Sequence, residues 1–329
     1  MKTFVTAILF FSLIMGTDNK SSSIQKPEDY IVGAFRWFIN LFDSNTHEFD
    51  SVKIVKFKPV MDKLIKKGAD SAFVYRMVLD QRTEYNPKYA KITVYRNPSS
   101  VREYTVESSK NKYSGTYSPS SLKSSVEFIK SHYNTLKKAQ EIYKVPVQVI
   151  ASILWIETRQ GSYTGNNHVV SVYLNLALAD QPDIMEMNRK SMNEKYSKNK
   201  NELPLLEIKL KERSAEKSSW AVDQLIALEK MSRFSPYNVL ELKGSWAGAF
   251  GMSQFIPTSY VSWAVDGNAD GKINLFESDD AIFSVANYLK TNGWGETDKE
   301  QRNAVFHYNR SNEYVDAVLI HARKLMSRD

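Results

Sequence analysis

The stretch Val145–Gly161, VPVQVIASILWIETRQG, decides how the chain is read. Pro146 suits the first turn of a helix, and the spacing predicts that helix over Val147–Thr158. Counted at helical spacing, Ile150, Ile153, Leu154 and Glu157 share one face, so a carboxylate closes a stripe of apolar side chains. Burial disfavours the charged form of a carboxyl group. Such a Glu is expected to hold its proton near neutral pH, which is what an acid catalyst needs. Spacing alone leaves a second reading open and favours it: Glu157 paired with Arg159 or with a Lys at the helix end, since structural ion pairs also perturb carboxylates.

Outward from this segment the chain reads as mainly α. Val126–Tyr143 has apolar residues at helical spacing, and Leu174–Ala179, Trp220–Met231, Ser284–Thr291 and Tyr314–Leu325 extend the set. Arg189–Lys217 is dense in mixed charge and is expected to be a solvated helix or loop. Toward the N-terminus, Phe57–Gln81 reads as two short helices joined by a turn at Gly68, and Tyr30–Phe42 as an aromatic-rich short helix. Lys91–Tyr104 alternates and is ambiguous, while Ser-rich Glu107–Ser125 is expected to be an exposed connection. There is no internal repeat.

The 329 residues are 42% apolar and 25% charged, with 13 Gly and 10 Pro, an ordinary mixture for a folded protein of about two domains. Collagen-like and wholly disordered classes are excluded. The net charge of +7 favours anionic partners without choosing among them. With no cysteine there is no thiol nucleophile, Cys–zinc site, disulfide or lipidated Cys, and the five scattered His give no zinc-ligand spacing. At the start, Lys2 precedes the uncharged run Phe4–Met15, which is shorter than the roughly 20 residues a span requires and suits a secretory leader over residues 1–16.

Three further features can carry chemistry. Gly244–Gln254, GSWAGAFGMSQ, crowds small residues that let backbone approach a ligand or another helix; Ser245 and Gln254 supply hydrogen-bonding groups. No Lys-Ser/Thr follows the glycines, so a phosphate cradle is weak. Asp266–Asp280, DGNADGKINLFESDD, places oxygen side chains at positions one, three and five, Gly at six and Ile at eight of a calcium loop. Asp266, Asn268 and Asp270 are the candidate ligands with the carbonyl of Lys272, and Glu277 competes with Asp280 to close the loop. A polar Asx/Gly turn is the alternative. Finally, Tyr288 and Tyr308 could stack on sugar or donate a hydrogen bond, although isolated tyrosines are more often core residues.

Taken together, IETRQG around Glu157, LKGSWAGAFGMSQFIPTSY over 242–260, VDGNADGKINLFESDDAIFSVANYLKTNGW over 265–294 and FHYNRSNEYVDAV near the end resemble the lytic murein transglycosylases of the membrane-bound B type. The resemblance covers most of the chain from Phe57 onward. It implies a lysozyme-like catalytic domain, expected over 126–329; the residues before it are expected to form an α-helical N-terminal extension over 17–106 and a Ser-rich linker over 107–125. Glu157 matches the single acid/base, Ser245 and Gln254 match groups that contact the sugar and its N-acetyl substituent, Tyr288 matches a tyrosine near the catalytic Glu, and Tyr308 matches the tyrosine of the family's C-terminal segment. In the loop the resemblance favours Asp280 over Glu277, around a structural Ca2+. The stretch between Trp294 and Val305 is shorter than usual, so a small C-terminal subdomain is expected to be missing.

The same resemblance implies an exported, periplasmic or envelope-associated monomer that acts on peptidoglycan glycan strands, with neither a nucleic-acid partner nor a transmembrane span. Protonated Glu157 would cleave the bond between N-acetylmuramic acid and N-acetylglucosamine and then, ionised, take the proton from the muramyl C6 hydroxyl, closing a 1,6-anhydro ring without water. Two other readings stand beside it: a hydrolytic muramidase on the same fold, and an inactive, calcium-stabilised peptidoglycan-binding protein.

Overall fold

The computed structural model describes residues 51–95, 112–198 and 200–327. The expected leader at 1–16 and the expected helix Tyr30–Phe42 lie outside the described residues. The first two helices are α1 (Ser51–Lys66) and α2 (Ser71–Leu79), divided where Gly68 takes a φ of 88°. A segment without strand or α-helix, 80–95, follows them, with one short 3-10 turn at Pro87–Ala90.

Helices α3 (Pro119–Ser131) and α4 (Tyr133–Tyr143) come next, so the single helix expected over Val126–Tyr143 is in fact two, divided at His132 (φ −115°, ψ 24°). Helix α3 starts inside the stretch expected to be an exposed connection. Ser118 caps it, Pro119 opens it, and Ser121 and Ser125 are buried beneath it, a stop-and-start chemistry that a Ser-rich composition disguises as linker.

Helix α5 (Val147–Thr158) buries Val147, Val149, Ile150, Ala151, Ser152, Ile153, Leu154 and Thr158. That is wider than one stripe: a helix apolar nearly all round has to be central. It is enclosed by α3, α4, α10 (Ser278–Thr291) and, most extensively, α12 (Asn312–Met326). Where α12 crosses it, buried His321 Nδ1 meets Ser152 Oγ at 2.9 Å, and burial pulls the imidazole down to about 4, so it is neutral.

Between these lie α6 (Val169–Leu176), α7 (Pro182–Lys195), α8 (Leu203–Met231), α9 (Pro257–Trp263) and α11 (Asp298–Tyr308). The charged stretch expected to be solvated forms the end of α7 and the first half of α8; there Leu206, Leu210, Ser214 and Ser218 are buried at four-residue intervals along one line. A two-stranded antiparallel pair, β1 (Asn167–His168) and β2 (Lys243–Gly244), aligns Asn167 with Gly244 and His168 with Lys243.

No break in packing falls at residue 126. Side chains of α1 and α2 enter the same hydrophobic cluster as those of α5. Lys63 Nζ on α1 reaches the Asp180 carboxylate at 2.7 Å and Ser218 Oγ at 2.8 Å. The ambiguous segment around Ile92 is extended without being a strand. Its backbone is taken up by side-chain amides: Asn188 accepts from Ile92 N–H at 2.9 Å and donates to Ala90 C=O at 3.0 Å, and Asn175 accepts from Asn86 N–H at 2.7 Å. Buried amides that satisfy backbone in this way replace a missing neighbour strand.

The close approach at the small sheet rests on Gly165, whose φ is 95° and where a Cβ would stand 2.2 Å from Gly244 O. Gly165→Ala is expected to destabilise the protein by about 1–3 kcal/mol, through both overpacking and a left-handed backbone that Ala resists. Urea unfolding of the two proteins checks it; an unchanged midpoint would show that the sheet yields at no cost.

Candidate active site

Glu157 sits in the last turn of α5, and that helix stops abruptly. Arg159 and Gln160 adopt φ values of 50° and 57°, followed by Gly161 at 90°. Arg159 N–H reaches Trp155 O at 2.8 Å and Gln160 N–H reaches Leu154 O at 2.9 Å, a left-handed helix ending that satisfies the terminal carbonyls. Two consecutive non-Gly residues in this region are strained, which is a common property of functional segments. The turn carries Arg159 into solvent and away from Glu157, and among the described residues no cation pairs with Glu157. The ion-pair reading that spacing favours is therefore not what the fold builds.

In its place, Tyr314 at the start of α12 donates its hydroxyl to Glu157 Oε1 at 2.5 Å. Burial is the dominant influence on the carboxyl and pushes its pKa up to about 7; the Tyr314 hydrogen bond opposes that rise only partly, because it favours the ionised form. Tyr314 itself is fully buried and its phenol is raised well out of reach, so it serves only as a donor.

A run of aromatic rings continues from this bond. Tyr314 stacks on Tyr308 (6.4 Å between centroids, 6° between planes), Tyr308 meets Tyr288 edge-on at 4.8 Å, and Tyr288 meets Trp263 at 4.7 Å. The hydroxyls of Tyr308 and Tyr288 donate to Ser253 O at 2.5 Å and His307 O at 2.8 Å. Burial raises the Tyr308 phenol, and the neighbouring Glu157 carboxylate raises it further, so the two groups share one environment.

The glycine-rich segment is fastened to the end of α5. Thr158 Oγ1 donates to Met252 O at 2.9 Å, and Gln254 Nε2 donates to Thr164 O at 3.1 Å. Ser245 Oγ accepts from Ala249 N–H at 3.2 Å, within its own turn. The small residues here serve packing: a Cβ at Gly248 would stand 2.4 Å from the Tyr173 ring and one at Gly251 2.6 Å from Leu275. Neither Ser245 nor Gln254 touches Glu157, although Gln254 lies beside Ser253, which receives Tyr308. Next to Ser245, Trp246 is 77% exposed.

Beside Glu157 opens a groove of about 440 Å³, bounded by Trp155, Ile156 and Arg159 on one side and by Lys112, Tyr113 and the serines that begin α3 on the other. Glu157 itself does not line it. Its charge nevertheless contributes, after burial, to raising the Tyr113 phenol.

Sequence reasoning missed Tyr314, Tyr113 and Trp155. Tyr314 belongs to one of the family-like blocks, but its spacing marks only the start of a helix. The available signal was an aromatic residue just after Ser311, which caps the helix that covers α5.

In the loop over 266–280, Asp266 accepts from the backbone N–H groups of Ala269 at 2.7 Å and Gly271 at 2.8 Å; Asn268 accepts from Asp270 at 3.0 Å and Asp270 from Lys272 at 2.8 Å. Gly271 has a φ of 85°. Buried Asp280 closes the loop from below, accepting from Gly267 N–H at 2.7 Å and Asn274 N–H at 2.5 Å. Glu277 accepts from Asn274 Nδ2 at 2.6 Å, within the same loop. Burial raises the Asp280 carboxyl, with repulsion from Asp266 and Asp270 adding to it. The donors are all oxygen and suit calcium in type. Among the described residues, however, no three acidic or histidine side chains converge as a metal cage, because these carboxylates are engaged with backbone amides.

Known proteins resemble this chain. Residues 56–316 match the family model described as the transglycosylase SLT domain. The membrane-bound lytic murein transglycosylase B of Escherichia coli (strain K12) is 31% identical over 181 residues, which is 55% of this chain and 41% of that relative. The chain thus matches less than half the length of that curated relative. Among solved structures, the E. coli lytic transglycosylase Slt35 in complex with calcium superimposes with a TM-score of 0.61 at 20% identity, covering 83% of this chain and 93% of that one. SltB3 of Pseudomonas aeruginosa in complex with NAG-anhNAM-pentapeptide gives 0.61 at 18%, covering 83% and 79%. These two likenesses establish a shared, mainly α fold of lysozyme-like type.

The elevated Glu157 carboxyl has a consequence for stability. Its folded pKa of about 7 lies above its unfolded value near 4.5, so the wild-type protein loses stability as pH rises through that window and levels off above it. Glu157→Gln, which cannot ionise but can still accept from Tyr314, is expected to be more stable than wild type at pH 8 by roughly 2–3 kcal/mol and equal to it at pH 4. Urea unfolding at the two pH values measures this; a variant less stable at pH 8 would mean the carboxylate is well solvated.

Proposed function

The chain belongs to the transglycosylase SLT family, and from that premise we propose that it is a lytic transglycosylase that cleaves the N-acetylmuramic acid–N-acetylglucosamine linkage of peptidoglycan, with Glu157 as both acid and base. The observation that carries the reading is the partly buried carboxyl of Glu157, free of any cation among the described residues, raised to a pKa of about 7 and hydrogen-bonded by the Tyr314 hydroxyl.

Protonated Glu157 donates to the glycosidic oxygen as the bond to the muramyl C1 breaks. The N-acetyl oxygen of the same sugar bonds to C1 and takes up the developing positive charge. Glu157, now a carboxylate, removes the proton from the C6 hydroxyl; that oxygen displaces the N-acetyl oxygen at C1 and closes the 1,6-anhydro ring. The proton count returns to its start and no water is consumed. Tyr314 fits both halves of the cycle, since its hydrogen bond orients the acid and eases its ionisation.

Glycosidases that use two carboxyl groups hold the second one about 5–9 Å from the first. An acid that close would itself raise the pKa of Glu157; among the described residues, burial and the Tyr314 hydrogen bond are the influences on it. This supports a substrate-assisted route over double-displacement hydrolysis. Ser245, Gln254, Tyr288 and Tyr308 are proposed sugar contacts. Because the hydroxyls of Tyr288 and Tyr308 are engaged with backbone carbonyls, they would offer ring surface more than hydrogen bonds.

Calcium, where bound, would be held by Asp266, Asn268, Asp270, the Lys272 carbonyl and Asp280, and would neutralise the converging charge of the loop. Its value is structural: Met252 N–H meets Leu275 O at 2.7 Å and Tyr260 OH meets Ile273 O at 2.7 Å, so the loop is tied to the glycine-rich segment beside the site. The proposed location is the cell envelope. The uncharged run Phe4–Met15 supports export, and among the described residues no helix is long and apolar enough to cross a membrane.

Glu157→Gln is expected to fold yet lose about two to four powers of ten in wall-lytic rate. Wild-type products, analysed by mass spectrometry, are expected to carry anhydro-muramyl ends, and kcat/KM is expected to fall as pH rises above about 7, where the free enzyme loses the proton it must donate. Reducing ends that carry solvent oxygen would establish a hydrolase instead; walls left intact at any dose would leave only a binding protein. For calcium, saturating Ca2+ is expected to stabilise the protein by about 2.7 kcal/mol at a hundredfold excess over Kd. A melting temperature indifferent to Ca2+ and to chelator would remove calcium from this account.

A further inference from the structure

The groove beside Glu157 carries charge that the cleavage steps do not use. Its charged walls are the cations Lys112 and Arg159, and among the described residues no acid lines it. Among the described residues neither cation forms an ion pair. Lys112 lies over the Tyr113 ring at 5.4 Å, and its acidic neighbour is Glu313, outside the groove, which already accepts from Ser311 Oγ at 2.6 Å. Arg159 is placed at the rim by the left-handed turn that ends α5.

Two cations facing one space, neither of them in an ion pair across it, favour an anion there, and carboxylates are well matched to the forked donors of Arg. The remaining walls are mixed. Ser118 and Ser120 offer hydroxyls, while Trp155 and Tyr113 offer ring surface. A polar, partly apolar chain with a terminal negative charge satisfies all of these groups; a neutral sugar would leave both cations unused.

Position selects the source of that chain. Trp155 and Ile156 immediately precede Glu157, and Tyr113 lies within reach of the Glu157 charge. A glycan with its scissile linkage at Glu157 would therefore place a substituent of an adjoining sugar in the groove. We propose that the groove binds the peptide substituent of the glycan and that Lys112 and Arg159 hold a peptide carboxylate. This rests on the lytic reading above for the placement of the glycan, but the binding itself can be read without turnover.

The test uses the full chain carrying Glu157→Gln, so that ligand is bound and not consumed, with and without Lys112→Gln plus Arg159→Asn. Asn is chosen at 159 because it tolerates a φ near 50°. Three probes are titrated by calorimetry: a muramyl disaccharide-pentapeptide with free carboxylates, the same molecule with its carboxyls converted to amides, and the peptide-free disaccharide with only its lactyl acid. The free-carboxylate probe is expected to bind about tenfold more tightly than the amidated one, each tenfold being one charge-assisted contact. The double variant is expected to bring that ratio close to one, and Arg159→Lys to retain most of it.

A ratio unchanged by the double variant, an equal loss for both peptide probes, or no measurable binding of the free-carboxylate probe would overturn the proposal. If the peptide-free disaccharide shows the whole effect, the anion is the sugar's own acid and the peptide assignment falls. Should the ratio behave as expected while the wild-type protein leaves walls uncleaved, the lytic reading fails and the groove stands.

Discussion

One constraint organises the site: a carboxyl group must be kept dry without being given a cation. Burial alone would make Glu157 a permanent acid, and a partner such as Arg would make it a permanent base. A phenolic hydroxyl does neither. Tyr314 donates at 2.5 Å and leaves the carboxyl near the midpoint of its titration at neutral pH. For that to hold, α12 must lie along α5, as it does. The neutral, buried contact of His321 with Ser152, two turns further from the site, belongs to the same seam.

Much of this was legible in the sequence because the strongest signals are periodic. The apolar run of 145–156 specifies a buried helix, and the carboxylate at its end follows by counting. The calcium-like loop was legible for a different reason: its spacing encodes backbone turns, and those turns are present, with Gly271 in the left-handed region. Of the two acids that compete to close the loop, Asp280 accepts from the Gly267 and Asn274 amides, while Glu277 accepts from the Asn274 side chain.

The parts that were not legible depended on tertiary partners. No local pattern says that Tyr314 meets Glu157 across 157 positions. The extended segment around Ile92 looks ambiguous because its partners are the side chains of Asn188 and Asn175, which no strand periodicity encodes. The Ser-rich stretch before Val126 looks like a linker because cap residues and linker residues have the same composition; only packing distinguishes them. The glycines of 244–254 are close-approach positions, as their size suggests, but the groups that approach Gly248 and Gly251 are Tyr173 and Leu275.

The two left-handed residues at the end of α5 also act as an insulator. Had the helix run one more turn, position 161 would stand above Glu157, four residues on, and any donor or cation there would share its proton. By reversing its hand at Arg159, the chain sends the next charged side chain outward and surrenders one helical turn of regularity. The cost falls on the backbone, locally and permanently, so that the acid answers to a single neighbour and its readiness is uncoupled from the ionic strength outside.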